Sequence, residues 1–130
     1  MILGIRTDKP EAELYLLDDS KIVDSHTWYA HRELSNTLIS SIEQLLQKNR
    51  LALTDMRGIV VYQGPGSFTG LRIGISVANA LGYALDIPVV ASQGEHWQLD
   101  AHRELAAIKN YQSIVTPFYG SEAHITQPKK

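Results

Sequence analysis

The feature that most constrains this chain is the stretch Gln63-Gly64-Pro65-Gly66-Ser67-Phe68-Thr69-Gly70-Leu71-Arg72-Ile73-Gly74. An apolar run, Gly58-Ile59-Val60-Val61-Tyr62, precedes it, and a helical pattern reaching Leu85 follows. The stretch therefore reads as the end of a strand, a glycine-rich turn and a helix N-terminus. Gly64 and Gly66 reach backbone angles closed to other residues, and Pro65 fixes one φ between them. Ser67 and Thr69 are both suited to capping the helix. Such a turn points free N–H groups at one spot, which suits an anion. It equally lets another segment approach the backbone closely.

The helix behind the turn carries a second signal. Gly70, Gly74, Ala78 and Gly82 fall four residues apart, and Ala80 and Ala84 widen the set. A glycine inside a helix costs about 1 kcal/mol relative to alanine, so this line needs a compensating gain. A line of small residues leaves a groove that another helix or strand can enter. The occupant is either the chain's own sheet and first helix or a partner's helix.

The other elements follow from periodicity. Three short strands, Ile2–Thr7, Ala12–Leu17 and Lys21–Tyr29, are separated by turn residues and predict an antiparallel meander. Arg32–Asn49 predicts a helix, with Leu34, Leu38, Ile39, Ile42, Leu45 and Leu46 spread over an arc of roughly 140°. That arc is wide for a helix lying on one sheet and leaves room for a second neighbour. Strand 59–62, helix 69–85 and strand 88–91 then add parallel strands to a mixed sheet. A third helical pattern spans 95–109, with Trp97, Leu99 and Leu105 apolar. Residues 110–130 show no period and read as an extended tail, so the expected organisation is a lobe at 1–109 and a tail at 110–130.

Composition narrows the function. One domain is the natural reading of 130 residues with 44% hydrophobic and 20% charged content. A net charge of −2 gives no bulk attraction to nucleic acid or an anionic membrane. No cysteine is present, which removes disulfide and thiolate chemistry and suits a reducing cytoplasm. The start of the chain has neither the basic nor the long apolar region of a signal peptide. The most apolar segment, 73–85, is short of the ~20 residues a membrane span needs. The glycine turn lacks the Gly-Lys-Ser/Thr of a Walker A loop and does not complete a G-x-G-x-x-G pattern. His26, His31, His96, His102 and His124 form no tight ligand pair, and no serine sits in a nucleophile elbow. No catalytic residue, metal site or cofactor is expected from these patterns.

Residues Gly64–Gly74 closely resemble the TsaB (YeaZ) family. Met1–Thr7, His31-Arg32-Glu33-Leu34, Leu53-Thr54-Asp55-Met56 and Ile87-Pro88-Val89-Val90 fall in that family's order, so the resemblance covers about Met1–Ser92. It implies an α/β fold: a single ribonuclease-H-like (ASKHA, actin-like) lobe. Its mixed five-stranded sheet would have three antiparallel and then parallel strands, with flanking helices. It implies a non-catalytic subunit of the cytoplasmic machinery that makes N6-threonylcarbamoyladenosine (t6A) in tRNA. The implied partner is the catalytic subunit TsaD, with the ATPase TsaE joining them, tRNA met only through the complex, and a homodimer when alone. The two long helices would form the interface, which places Leu38, Ile42, Leu45, Gly66, Ser67, Phe68, Thr69, Gly70, Leu71, Arg72, Gly74 and Ala78 at the partner. Two departures stand out. Arg6 occupies a position where the family usually has Asp, and the residues after Ser92 are too few for the family's second lobe. The alternative is a small phosphate- or nucleotide-binding protein, an ATPase included, built on the Gly64–Thr69 turn.

Overall fold

The computed structural model describes residues 1–18, 21–66, 68–98 and 103. Strands β1 (Ile2–Arg6), β2 (Glu11–Asp18) and β3 (Lys21–Tyr29) form the meander. A single 3₁₀ turn, His31–Glu33, leads into helix α1 (Leu34–Lys48). Then come strand β4 (Gly58–Gly64), helix α2 (Phe68–Leu85) and strand β5 (Val89–Gln93). The sheet order is β3-β2-β1-β4-β5. β1 pairs antiparallel with β2 and parallel with β4, and β4 pairs parallel with β5. This is the expected mixed sheet of an RNase-H-like α/β lobe.

The helix boundaries move a little from the sequence reading. The chain at 31–33 is wound as 3₁₀, so α1 proper opens at Leu34 rather than Arg32. Thr69 lies inside α2, not at its cap, because α2 opens at Phe68. Trp97, Gln98 and Arg103 are helical, in keeping with the third helical pattern. Glu95 and His96 form a turn, so the helix opens at Trp97 rather than at 95; the other residues of that pattern and the 110–130 tail, with the domain boundary between them, lie outside the described residues.

Two apolar clusters hold the sheet. The larger one joins Leu3, Ile5, Leu14, Leu16, Ile59 and Val61 of the sheet to Leu34, Leu38, Ile42, Leu45 and Leu46 of α1 and Ile75 and Ala78 of α2. The alternation along β1 and β4 sends Ile2, Val60 and Tyr62 into the other cluster, with Leu17, Leu71, Val90 and Trp97. Trp97 meets the rings of Tyr15 and Tyr62 edge-on, at centroid distances of 6.0 and 5.8 Å. Gly4 lies under this cluster, where a Cβ would sit 3.3 Å from Tyr15 Cβ and in ordinary contact with Trp97, 3.6 Å from its Cη2.

A polar clip ties the C-terminal end of α1 to β3. Asp24 accepts hydrogen bonds from Asn49 Nδ2 at 2.9 Å and from the Ser25 N–H at 2.8 Å, and Lys48 Nζ lies 3.4 Å away. The Asn49 bond, chiefly, holds the Asp24 carboxyl below the usual carboxylate range. A depressed folded-state pKa adds stability above the ordinary value, and that stability is lost as pH falls through the folded value. Thermal melts of Asp24→Asn are therefore expected to run below wild type at pH 7. The gap should close as the pH drops below about 4; a gap independent of pH would contradict the clip.

Candidate functional site

The glycine turn emerges where β1 and β4 end side by side. Gly64 has a φ of 120°, in the region that favours glycine, and the Gly64–Pro65 peptide is cis. Tyr62 donates its hydroxyl to the Pro65 carbonyl at 3.1 Å and so braces the turn against its own strand. Gly66 passes directly over Asp8, and a Cβ at 66 would collide with the Asp8 Cβ. Eight residues further on, in the second turn of α2, Gly74 sits against Thr7. A Cβ there would run into Thr7 Oγ1 and lie 3.2 Å from Thr7 Cβ and Cγ2. Thr7 itself is buried and donates its hydroxyl to the Gly70 carbonyl at 2.7 Å. Gly82 repeats the pattern at the far end of α2, where a Cβ would collide with Val89.

The small-residue line of α2 is thus filled by the chain's own sheet. Ala78 is fully buried on the same side. Leu38, Ile42, Leu45 and Leu71 are likewise core side chains. Six of the expected interface residues, Leu38, Ile42, Leu45, Leu71, Gly74 and Ala78, are buried within the chain's own fold. The cause is geometric: a spacing of four marks a line on a helix, and here that line is the one packed on β1, β4 and β5. Of the remaining six, Gly66, Thr69 and Arg72 are exposed, and Gly70 is half-buried. Phe68 opens α2, and Ser67 lies outside the described residues.

The outward side of α2 has a different character. Ser76, Ala80, Tyr83 and Ala84 are exposed there; Tyr83 is 91% exposed. From Ile73 to Leu85 no residue is charged. Ile73 and Val77 are half-buried at its flank, and Ile39 of α1 stands 42% exposed at the edge of the wide apolar arc. Ala80 and Ala84, grouped by spacing with the inward line, therefore belong to the opposite face.

Arg6 and Asp8 close the end of β1. Arg6 Nε lies 2.7 Å from Asp8 Oδ1 and Nη2 lies 3.2 Å from Oδ2, a two-point ion pair. The Arg6 Cζ also lies 4.0 Å from the centroid of the Tyr62 ring. The hydrogen bonds to Asp8 raise the Arg6 pKa further, against the opposing effect of burial. Tyr15 donates its hydroxyl to Glu13, and burial followed by that bond raises the tyrosine's pKa. A divalent metal with phosphate, as related ATPases of this fold hold at the opening strand, does not fit these residues. The guanidinium already covers the Asp8 carboxylate, and a cation replaces the second carboxylate. Among the described residues no group of three His, Asp or Glu side chains is placed to hold a metal ion.

In the sequence Arg6 stands out, whereas Asp8 is one of the turn residues after the first strand. β1 ends at Arg6 and Asp8 lies in the bend that follows, so strand alternation does not announce the pair. A cleft of about 350 Å³ opens beside this site, between the β1–β2 turn, the 3₁₀ turn and the first turn of α2. Its rim includes Lys9 and Arg32.

Comparison with known proteins sets this geometry in a family. A family model described as TsaD: tRNA N6-adenosine threonylcarbamoyltransferase matches residues 27–108. The tRNA threonylcarbamoyladenosine biosynthesis protein TsaB of Bacillus subtilis is 34% identical over 90 residues, 69% of this chain and 39% of the relative. The structure of YeaZ from Pseudomonas aeruginosa superposes with a TM-score of 0.65 at 32% identity, covering 71% of this chain and 43% of that one. The chain belongs to the TsaB (YeaZ) family, kin to the TsaD transferases. A TsaD-named relative, the tRNA N6-adenosine threonylcarbamoyltransferase of Geotalea uraniireducens, is 38% identical over 91% of this chain and 37% of its own length. The chain spans less than half the length of each of these relatives. No helix among the described residues is long and apolar enough to cross a membrane.

The Thr7–Gly74 contact can be tested in isolation. Gly74→Ala is expected to destabilise by about 1–3 kcal/mol through overpacking. Thr7→Ala removes the colliding oxygen, so it should cost less in the Gly74→Ala background than in wild type. A coupling on the order of 1 kcal/mol in a urea-unfolding double-mutant cycle is expected, and simple additivity would refute the contact.

Proposed function

We propose that this chain is a non-catalytic subunit of the t6A tRNA-modification machinery that docks on a TsaD-like catalytic subunit. The observation that carries the reading is the outward face of α2. It runs from Ile73 to Leu85 without a charge and ends on the exposed ring of Tyr83. Interface centres are depleted in charge and enriched in aromatic residues, and tyrosine is a frequent hot spot. Thr69, Arg72 and Gly66 extend the same surface toward the glycine turn, and Ile39 of α1 adds an apolar neighbour. The role is then that of a scaffold, stabilising the partner's active arrangement without chemistry of its own. In isolation the same face would pair two copies of the chain. A TsaE-like ATPase joins at the assembled complex, and tRNA is met only through it, in the cytoplasm.

A second reading is phosphate or nucleotide binding at the Gly64–Thr69 turn. The glycine turn leading into the start of α2 favours it, since a helix N-terminus suits an anion. The Arg6–Asp8 pair and the close seat of Gly66 on Asp8 weigh against it.

Ala80→Arg and Tyr83→Ala test the docking face. Both positions are exposed, so stability should change by no more than about 0.5 kcal/mol. Affinity for the TsaD of the same organism should fall at least about tenfold, measured by calorimetry on the purified pair. Unchanged affinity in both variants would sink the docking face. Tight binding of ATP with magnesium by the lone chain would favour the second reading instead.

A further inference from the structure

The cleft beside the end of β1 borders the docking face and shares Thr69 and Ile73 with it, but its other walls come from the β1–β2 turn and the chain around the 3₁₀ turn. Pro10, Ala30, Leu34 and Ile73 give it an apolar lining, while Lys9 and Arg32 enter from two separate turns. Among the described residues no carboxylate lines it. Its volume of about 350 Å³ is at the small end of the range for small-molecule sites, which ordinarily combine apolar walls with a few convergent polar groups. Arg32 has no hydrogen-bond or ion-pair partner among the described residues. Lys9 is 51% exposed and only loosely paired, its Nζ 3.5 Å from Glu13 Oε2. Glu13 is itself 15% exposed, but the long contact and the solvent around the ammonium hold the lysine weakly, so it can turn toward a ligand.

We infer that this cleft is a binding site for a small amphipathic anion, a single carboxylate or phosphate group on a short apolar body. The apolar body would lie on Ala30, Leu34 and Ile73, and the anionic head would meet Lys9 and Arg32 at the rim. Two cations from different turns give the head a fixed direction, and the apolar walls reject a bare inorganic ion in favour of one with a hydrocarbon part. The site stands apart from Arg6 and Asp8, whose charges are spent on each other, and it requires no metal.

The test uses the full chain and hexanoate as the probe, followed by amide shifts in ¹⁵N-edited NMR spectra. Saturable shifts are expected at Lys9, Arg32 and Ile73. The Lys9→Gln/Arg32→Gln double variant should raise the dissociation constant at least about tenfold, with an unchanged melting temperature showing that it is folded. Hexanol and inorganic phosphate, which lack the head and the body respectively, should each bind more weakly than hexanoate. The inference is overturned by no saturable shift with hexanoate, by equal affinity for hexanol or for phosphate, or by a folded double variant that binds as wild type does.

Discussion

The buried hydroxyl of Thr7 governs how this lobe is assembled. A buried hydroxyl without a partner is costly, and this one is satisfied by a carbonyl of the first turn of α2. That bond requires the helix to lie within touching distance of the end of β1. Only a helix without a Cβ at position 74 can come so close. The parallel pairing of β1 with β4, Ile5 opposite Val61, brings the glycine turn out at the same end. Gly66 can then cross over Asp8, and Tyr62 can hold the turn through Pro65. The turn, the helix and the strand end are thus one interlocked unit. The glycines that first suggest a phosphate cradle are required by that interlock.

Most of the fold was legible because its elements obey their periods. The alternation of β1 and β4 separates the two core clusters, and the apolar positions of α1 at 34, 38, 42 and 45 are those that meet the sheet. What spacing cannot supply is the direction of a helix face. Gly70, Gly74, Ala78 and Gly82 define a line, but their contacts depend on where Thr7 and Val89 arrive, which is a property of the sheet. The breadth of the apolar arc on α1 was a truer guide. It exceeded what the sheet could cover, and the residue at its edge, Ile39, is the one left exposed. The cleft was invisible in sequence for a related reason, since Lys9 and Arg32 are brought together only by the return of β3 to the edge of the meander.

Electrostatics give the end of β1 its present character. In an actin-like lobe this is where strand ends and a glycine turn converge, and a carboxylate pair there would attract a hydrated cation. Arg6 instead satisfies Asp8 internally and rests on the Tyr62 ring. The result is a neutral, braced corner, with the nearby cations Arg32 and the loosely paired Lys9 displaced outward. The charge that remains available near the turn therefore faces a cleft with apolar walls.

The two sides of α2 separate what the sheet demands from what it does not. Inward, Gly74 and Gly82 carry a helix cost of about 1 kcal/mol each, offset by close packing on Thr7 and Val89. Outward, alanine at 80 and 84 needs no such account, because alanine is the best helix former. Tyr83 is different. A tyrosine left 91% exposed gains nothing from the core, and on an ordinary solvent face a charged residue would serve the helix better. Its neighbours compound the point, since three and a half turns of surface helix go by without an acid or a base between Arg72 and Asp86. Core packing accounts for Ile75, Ala78 and their half-buried neighbours, but not for the uncharged residues at the exposed positions 76, 80, 83 and 84. A partner surface laid along α2 would account for them, and this is the physical ground for proposing an interface on the outward face of the helix whose inward face holds the lobe together.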